Sequence, residues 1–401
     1  MRLVRAAAAI VLLVVAAITR PSSGGGEQSG SPLVRFIVQH PWVTLASLIF
    51  GLTLAGAIVV ISGIVPIKAS SGHWPITAWF LDFAKLRSVA THSLAIQAPN
   101  LDDEMLIVRG AGQYEIGCYS CHGGPGGGVS PVMAAMTPTP PVLADTISRY
   151  TSEELFSIIK HGIKFTGMPA WPVQERDDEV WAMVSFVRTM PGLDSAGYRG
   201  LAYGDSGSRD VTLNPPSAGD QPPAVVRGIC WRCHGLDGRG RGAGAFPSLA
   251  GQRADYLLAS LRAYKDHHRF SGIMHNVAAG LDDMTMHQVA NYYSRLPPRP
   301  GDATDDASAV ARGAAIAKAG VADRDIPICA ECHGPSDTPK NRAYPRLAGQ
   351  HLRFLELQLQ LLKQRRRGGS PNVSLMHVFV DRLGPDHIRD VTRYYASTST
   401  Q

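Results

Sequence analysis

Outside three short motifs the sequence contains no cysteine. All six cysteines fall in "CYSCH" (Cys118, Cys121, His122), "CWRCH" (Cys230, Cys233, His234) and "CAECH" (Cys329, Cys332, His333), so none remains for a disulfide framework. No stretch alternates basic and aromatic residues, and a net charge of +6 is too mild to stand in for one, which excludes nucleic acid as a partner. Past residue 100 the chain lacks the period-two alternation of strands, so a sheet-based fold, and with it a thioredoxin-like setting for CxxC, is excluded. Charge is scarce as well, at 18% against 45% hydrophobic residues. That is the balance of a globular protein with an apolar addition, and 401 residues allow two to four compact domains.

The apolar addition is residues 43–67, "VTLASLIFGLTLAGAIVVISGIVPI", 25 positions without a charge. At about 1.5 Å per residue a helix of that length exceeds a hydrocarbon core of about 30 Å, and the run is too long for a buried core helix. Arg2, Arg5, Arg20 and Arg35 precede it, whereas Lys68, Trp74 and Trp79 follow. The positive-inside rule puts the N-terminus in the cytoplasm and the remaining chain on the outer side of a single-pass anchor, with the tryptophans at the interface. A second apolar run, residues 6–18, looks like the core of a secretory signal. Cleavage there followed by a span at 43–67 would leave the cysteines in the cytoplasm, so the extension 1–42 is either uninserted or half of a hairpin.

Beyond a juxtamembrane segment, 68–100, the chain repeats. Each repeat opens on a helical pattern containing Arg-Gly ("LIVRGAGQYEIG", "AVVRGI", "SAVARGAAIAKAG"), reaches its CxxCH, crosses Gly- and Pro-rich coil and closes on an amphipathic helix. The divisions are 101–194, a linker at 195–223, 224–300 and 301–401. "FPSLAGQ" (246–252) and "YPRLAGQ" (344–350) make the last two sisters. A short proline-stiffened connection predicts that they pack as a pair, while the Gly-, Ser- and Pro-rich linker predicts a first repeat that moves relative to them.

Two cysteines three positions apart with histidine next set both thiols and an imidazole on one turn of chain. The thiols suit thioether bonds to haem vinyl groups, and the histidine reaches the iron. Zinc needs four ligands, and each repeat offers only three in a row. Haem held by one histidine has a sixth iron position that methionine commonly fills. Met168 in "FTGMPAWP" lies 46 residues after His122, in a segment too rich in turn formers for helix or strand. Its other reading is an adaptable gap filler in a core. The following proline stiffens the loop and lowers the entropy lost on ligation.

With the CxxCHG triplets, "GMPAW", the paired "LAGQ" segments and the closing helices, residues 101–401 resemble three class I cytochrome c domains in series. Residues 220–401 resemble the di-haem class I cytochromes of bacterial periplasms, and the stretch around 60–130 is similar, more loosely, to membrane-anchored cytochromes of respiratory chains. The resemblance implies a mainly α-helical fold, three covalent c-type haems, and haem domains in the periplasm on an anchor in the bacterial inner membrane. It assigns His122, His234 and His333 as proximal ligands and Met168 as the first distal ligand. Met274 and Met376 match it in position, 40 and 43 residues after their histidines. Neither precedes a proline, so the adjacent His275 and His377 stand as rivals. Met133 and Met136 come too soon after His122, and Met284 and Met286 read as helix residues. The family's proline carbonyl for the proximal imidazole falls on Pro247 and Pro345, and in the first repeat on Pro138, Pro140 or Pro141. His161, His267, His268 and His351 read as polar-face residues, "KQRRR" (363–367) as a solvated or docking face, and "ERDDE" (175–179) as acids favouring a helix N-terminus.

The expected function is electron transfer, without catalysis of its own, from a quinol-oxidising complex or periplasmic dehydrogenase to a terminal haem-copper oxidase. A cytochrome subunit of a membrane-bound alcohol, aldehyde or sugar dehydrogenase is the alternative. A peroxidase-like enzyme would need a five-coordinate haem, and a candidate methionine in every repeat argues against it.

Overall fold

A computed structural model describes residues 38–65, 67–204, 221–242, 244–304, 306–337, 339–369 and 372–399. The apolar run at 6–18 and the four N-terminal arginines lie outside them. The chain divides into two compact units, Met1–Ser71 and Gly72–Gln401.

The first unit contains α1, Pro41–Ser62, with proline in its first turn and no buried residue. Its mean hydropathy is 2.3, and 22 residues rise about 33 Å, enough to cross a bilayer core. The helix stops five residues before the expected 67 because Gly63 adopts φ 63°, a left-handed cap whose N–H bonds Val60 O at 3.4 Å.

The second unit starts with α2, Pro75–His92. Trp74, Trp79, Phe80 and Phe83 are all at least half exposed along it, and Trp79 stacks on Phe83 at 5.8 Å. No strand occurs among the described residues, only two isolated bridges. The first repeat comprises α3, Glu104–Gly117, α4, Ser152–His161, and α5, Asp177–Thr189. Asp103 caps α3 through Met105 N at 3.0 Å, and Thr151 with Glu154 forms a capping box on α4. Helices α3 and α5 cross at Gly110, where a Cβ would lie 2.0 Å from Ala182 O. The Arg-Gly signature therefore marks a close helix crossing. Tyr114, Val180, Met183 and Phe186 fill the core beneath it, each worth about 1.5–3 kcal/mol of burial for an apolar side chain of that size.

The expected linker opens with a further helix, α6, Ser195–Tyr203, capped by Asp194. Its Tyr198, Ala202 and Tyr203 are buried in the first repeat's core; residues 205–220 lie outside the described residues. The second repeat has α7, Ala254–Lys265, α8, Gly272–Ala279, and α9, Asp283–Arg295. The third has α10, Ala307–Ala319, α11, Leu352–Lys363, α12, Val373–Arg382, and α13, Pro385–Ser397. Helices α10 and α13 repeat the crossing at Gly313, with a Cβ 2.0 Å from Asp390 O.

The second repeat departs from this plan. Its opening is a single wide helical turn, Val226–Cys230, and Gly228 has open space around it. Helix α3 of the first repeat covers the gap, packing Val108 with Cys233, Ala245 and Phe246. Trp231 in turn enters the first repeat's core and stacks on Tyr203 at 6.2 Å. Arg241 completes the seam, donating to Leu201 O at 2.8 Å and Ala202 O at 2.9 Å. The first repeat is thus packed against the second, contrary to the expectation of a free-moving domain.

Candidate haem sites

In each repeat the CxxCH segment forms one short helical turn, Tyr119–His122, Trp231–His234 and Cys329–His333. A glycine follows at positive φ: Gly123 at 67°, Gly235 at 76° and Gly334 at 76°. That conformation ends the turn at no Cβ cost and leaves the histidine at its lip.

Each imidazole is then oriented the same way. His122 Nδ1 donates to Pro141 O at 2.9 Å, His234 Nδ1 to Pro247 O at 3.1 Å and His333 Nδ1 to Pro345 O at 2.9 Å. A carbonyl only accepts, so the proton sits on Nδ1 and the Nε2 lone pair is available to a metal. Among the three prolines left open in the first repeat, Pro141 takes the role. Burial pushes the His234 imidazole down and that of His333 down to about 4, which keeps both neutral.

Burial also pushes the thiols up, Cys118 and Cys230 to about 12 and Cys233 and Cys329 to about 11. Among the described residues no three His, Cys, Asp or Glu side chains converge to hold a bare metal ion.

The second and third sites open into one cavity lined by Cys233, His234, Met274, Cys332, His333 and Met376. Its walls are chiefly apolar, and two buried polar atoms on it, Gln113 Oε1 and Tyr395 OH, have no hydrogen-bond partner. An apolar slot with sparse polar groups and a neutral imidazole is the donor set haem takes, so the residues fit that group. The neighbouring histidines turn elsewhere: His275 Nδ1 faces Tyr264 O at 2.8 Å and His377 Nε2 faces Arg367 O at 3.0 Å. Met284 is exposed and Met286 is buried in the core of the second repeat.

Met168 lies on a loop pinned by Ile163 N to Met168 O at 3.1 Å and by Met168 N to Thr166 Oγ1 at 3.1 Å. Gly162, at φ 64°, lets the 168–170 backbone pass where a Cβ would be 2.5 Å away. The Met136 side chain packs against Gly167, where a Cβ would meet its methyl at 2.5 Å. This first site does not share the cavity of the other two.

Two expectations about surface residues need correction. His351 is buried, not on a polar face, with Nε2 2.9 Å from Arg239 O in the second repeat. Within "KQRRR", Arg365 pairs with Asp381 at 2.6 Å, while Arg367 crosses between repeats to donate to Tyr256 OH at 2.8 Å. Arg269 approaches the same hydroxyl at 3.3 Å. Burial pushes Tyr256 up, but Arg269 and Arg367 outweigh it and bring the phenol down to about 7. The acids Asp177, Asp178 and Glu179 of "ERDDE" lie in the first turn of α5 as expected, but none caps it through its side chain. Asp178 instead pairs with Arg109 and with Arg176 Nε at 2.7 Å, and Glu179 is buried.

The paired "LAGQ" motifs carry a role that spacing alone did not disclose. Gln252 accepts from Arg346 N at 2.9 Å and donates to Arg346 O at 3.0 Å. Gln350 does the same with Ser248, at 2.9 Å for both bonds. The sister repeats are joined by two equivalent amide clasps related by a pseudo-two-fold axis.

Two family models match the chain: one described as cytochrome c oxidase, cbb3-type, subunit III, over residues 106–187, and one described as cytochrome c, over residues 224–298. The thiosulfate dehydrogenase electron acceptor of Thiomonas intermedia is 32% identical over 185 residues, 46% of this chain and 83% of that protein. Cytochrome c4 of Thiocapsa roseopersicina is 30% identical over 189 residues, 47% of this chain and 94% of that protein. A solved cytochrome c4 from Acidithiobacillus ferrooxidans is 34% identical and covers 42% of this chain and 98% of that one, at a TM-score of 0.38. With mainly helical repeats and curated relatives 32% and 30% identical over 83% and 94% of their own lengths, the chain belongs to the cytochrome c family and is an electron carrier.

Proposed function

We propose that the protein is a periplasmic relay tethered to the inner membrane, with one c-type haem in each of three repeats. It would take single electrons from a quinol-oxidising complex or a periplasmic dehydrogenase and pass them to a terminal haem-copper oxidase. The observation that carries this reading is the threefold recurrence of a CxxCH turn whose histidine donates Nδ1–H to a proline carbonyl. The third repeat, outside the two matched stretches, has the same turn, the same Gly-mediated crossing and a methionine on the cavity wall.

Bound haem supplies a one-electron ferrous–ferric couple. The chain's part is to hold it: Cys118 and Cys121, Cys230 and Cys233, and Cys329 and Cys332 as thioether anchors, His122, His234 and His333 as proximal ligands. Met168, Met274 and Met376 would serve as distal ligands; Met274 and Met376 are favoured over His275 and His377 because the methionines line the shared cavity. The tether rests on α1, unburied and long enough to span, and on the exposed aromatic face of α2, suited to a membrane interface.

Relatives named as electron acceptors of thiosulfate dehydrogenase favour a periplasmic dehydrogenase as donor. The oxidase subunit in the description of the family model at 106–187 favours an oxidase as acceptor. A haem-to-polypeptide ratio on the matured full chain, measured after membrane fractionation, tests the reading. Three haems in the membrane pellet are expected; two haems, or a protein in the soluble fraction, would refute the third site or the tether respectively.

A further inference from the structure

Helix α8, which carries Met274, is held from outside its own repeat. Glu179, on the first turn of α5 in the first repeat, is only 3% exposed. One carboxylate oxygen accepts from Ser271 Oγ at 2.6 Å, the other from Gly272 N at 2.7 Å and from Trp171 Nε1 at 3.3 Å. Ser271 is the N-cap of α8: its hydroxyl accepts from Met274 N at 3.3 Å while donating to Glu179. A buried carboxylate thus reaches the amide of Met274 through one hydroxyl, and such chains polarise and strengthen one another.

The surroundings enforce the same register. Arg176 Nη2 lies 3.1 Å from Glu179, and its Nη1 donates to Phe270 O, so both ends of the 270–272 segment are gripped. A Cβ on Gly272 would lie 2.4 Å from Trp171 Nε1, so the indole seats directly on the backbone. Ile273 packs into the first repeat's core while Met274 packs into the second's. The third repeat offers an internal contrast: α12, which carries Met376, has no side-chain cap bond at its N-cap Asn372.

We infer that Glu179 of the first repeat is a positioning residue for Met274 of the second, so that the second site's axial ligation depends on an intact first repeat. This rests on Met274 being the distal ligand, and the test separates the two. In the haem-loaded full chain, near-infrared magnetic circular dichroism of the oxidised protein is recorded with a redox titration. Met274→Ala should remove one sulfur–iron signal and one high-potential component. If it removes neither, the ligand assignment fails and the inference falls with it.

If it removes both, Glu179→Ala should weaken that same signal, raising the sulfur-off fraction roughly tenfold, the shift expected for losing a charged hydrogen bond. The same titration component should fall in potential, with the Met376 signal unchanged. Glu179→Gln, which retains an acceptor for Gly272 N–H, should restore most of the signal. If Glu179→Ala does not accumulate as folded protein, Ser271→Ala removes the relay at its other end and should give the same shift, smaller in size. Unaltered signal and potential in whichever of these variants folds would overturn the inference.

Discussion

The two junctions between repeats differ in kind. Between the second and third, two glutamines at equivalent positions clasp equivalent backbone groups, Gln252 on Arg346 and Gln350 on Ser248. Between the first and second, an asymmetric seam combines an aromatic insertion, Trp231 against Tyr203, with buried Glu179 bonded to Ser271 and Gly272 and buried Arg176 bonded to Phe270 O and backed by the half-buried Asp178. The cause lies in the second repeat, whose opening is one wide turn where the others have helices of 14 and 13 residues. A repeat that cannot cover its own cysteine turn must be covered by a neighbour, and α3 does so. The duplicated pair is a joint between equals, whereas the first repeat is a structural complement to a shortened one.

The largest effect is expected at the aromatic insertion. Trp231→Ala should destabilise the protein by about 3–5 kcal/mol, as for other buried Trp truncations, and chemical denaturation should show the first and second repeats losing their cooperativity while the third retains its own. Joint unfolding of all three repeats, as in the parent, would erase the distinction between the junctions.

The clasps come next. Gln350→Ala removes the side-chain partner of the buried Ser248 N–H and C=O, and Gln252→Ala that of the part-buried Arg346 N–H and C=O, and each should cost about 1–3 kcal/mol. If the pseudo-symmetry is energetic as well as geometric, the two losses measured by denaturant titration will agree within about 0.5 kcal/mol, the usual error of such additivity comparisons. A clear inequality would sink that equivalence.

Acid should part the junctions. Burial raises the Asp178 carboxyl, but Arg109 and Arg176 outweigh it and leave it well below the usual carboxylate range. A depressed folded value contributes stability that is complete above the unfolded value of about 3.9 and is lost as pH falls from there toward the folded one. Falling pH below about 4 should therefore weaken the first junction, and Asp178→Asn should flatten that dependence. Amides do not titrate in this window, so the clasps between the second and third repeats should be unaffected. Hydrogen exchange of the 270–274 and 346–350 amides across that range separates the two.

The smallest effect is expected for Arg353 and Asp103, which join the third repeat to the first at 2.7 Å with the arginine side chain 54% exposed. Arg353→Ala should change stability by less than about 1 kcal/mol, as exposed pairs do. A larger loss in a salt-dependence series would show that the first repeat is anchored to both of its neighbours.

The short turn at each CxxCH and the helices that open the first and third repeats were legible because they follow from local spacing and periodicity. Pro247 and Pro345 were legible for the same reason, whereas Pro141 was one of three in a proline-rich run and needed the path of the chain. "LAGQ" announced kinship without its purpose, because a glutamine's partner 94 or 102 positions away leaves no local trace. "ERDDE" gave the acidic first turn of α5 but not its partners, since Asp178 also pairs with buried Arg109 and Glu179 with another repeat. The linker was misjudged at its first nine residues, where Tyr198 and Tyr203 supply enough apolar surface to fold back.

By itself the sequence determined the helical class, the recurrence of a CxxCH turn and an apolar helix of membrane-spanning length. Each of these depends on residues within about two turns of one another, the range over which helix periodicity and ligand spacing operate. Only the tertiary structure decided which repeat leans on which, where Glu179 and Arg367 are directed, and that the second and third sites share one cavity. Those outcomes depend on contacts between segments far apart in the chain, where burial, not spacing, selects the partner.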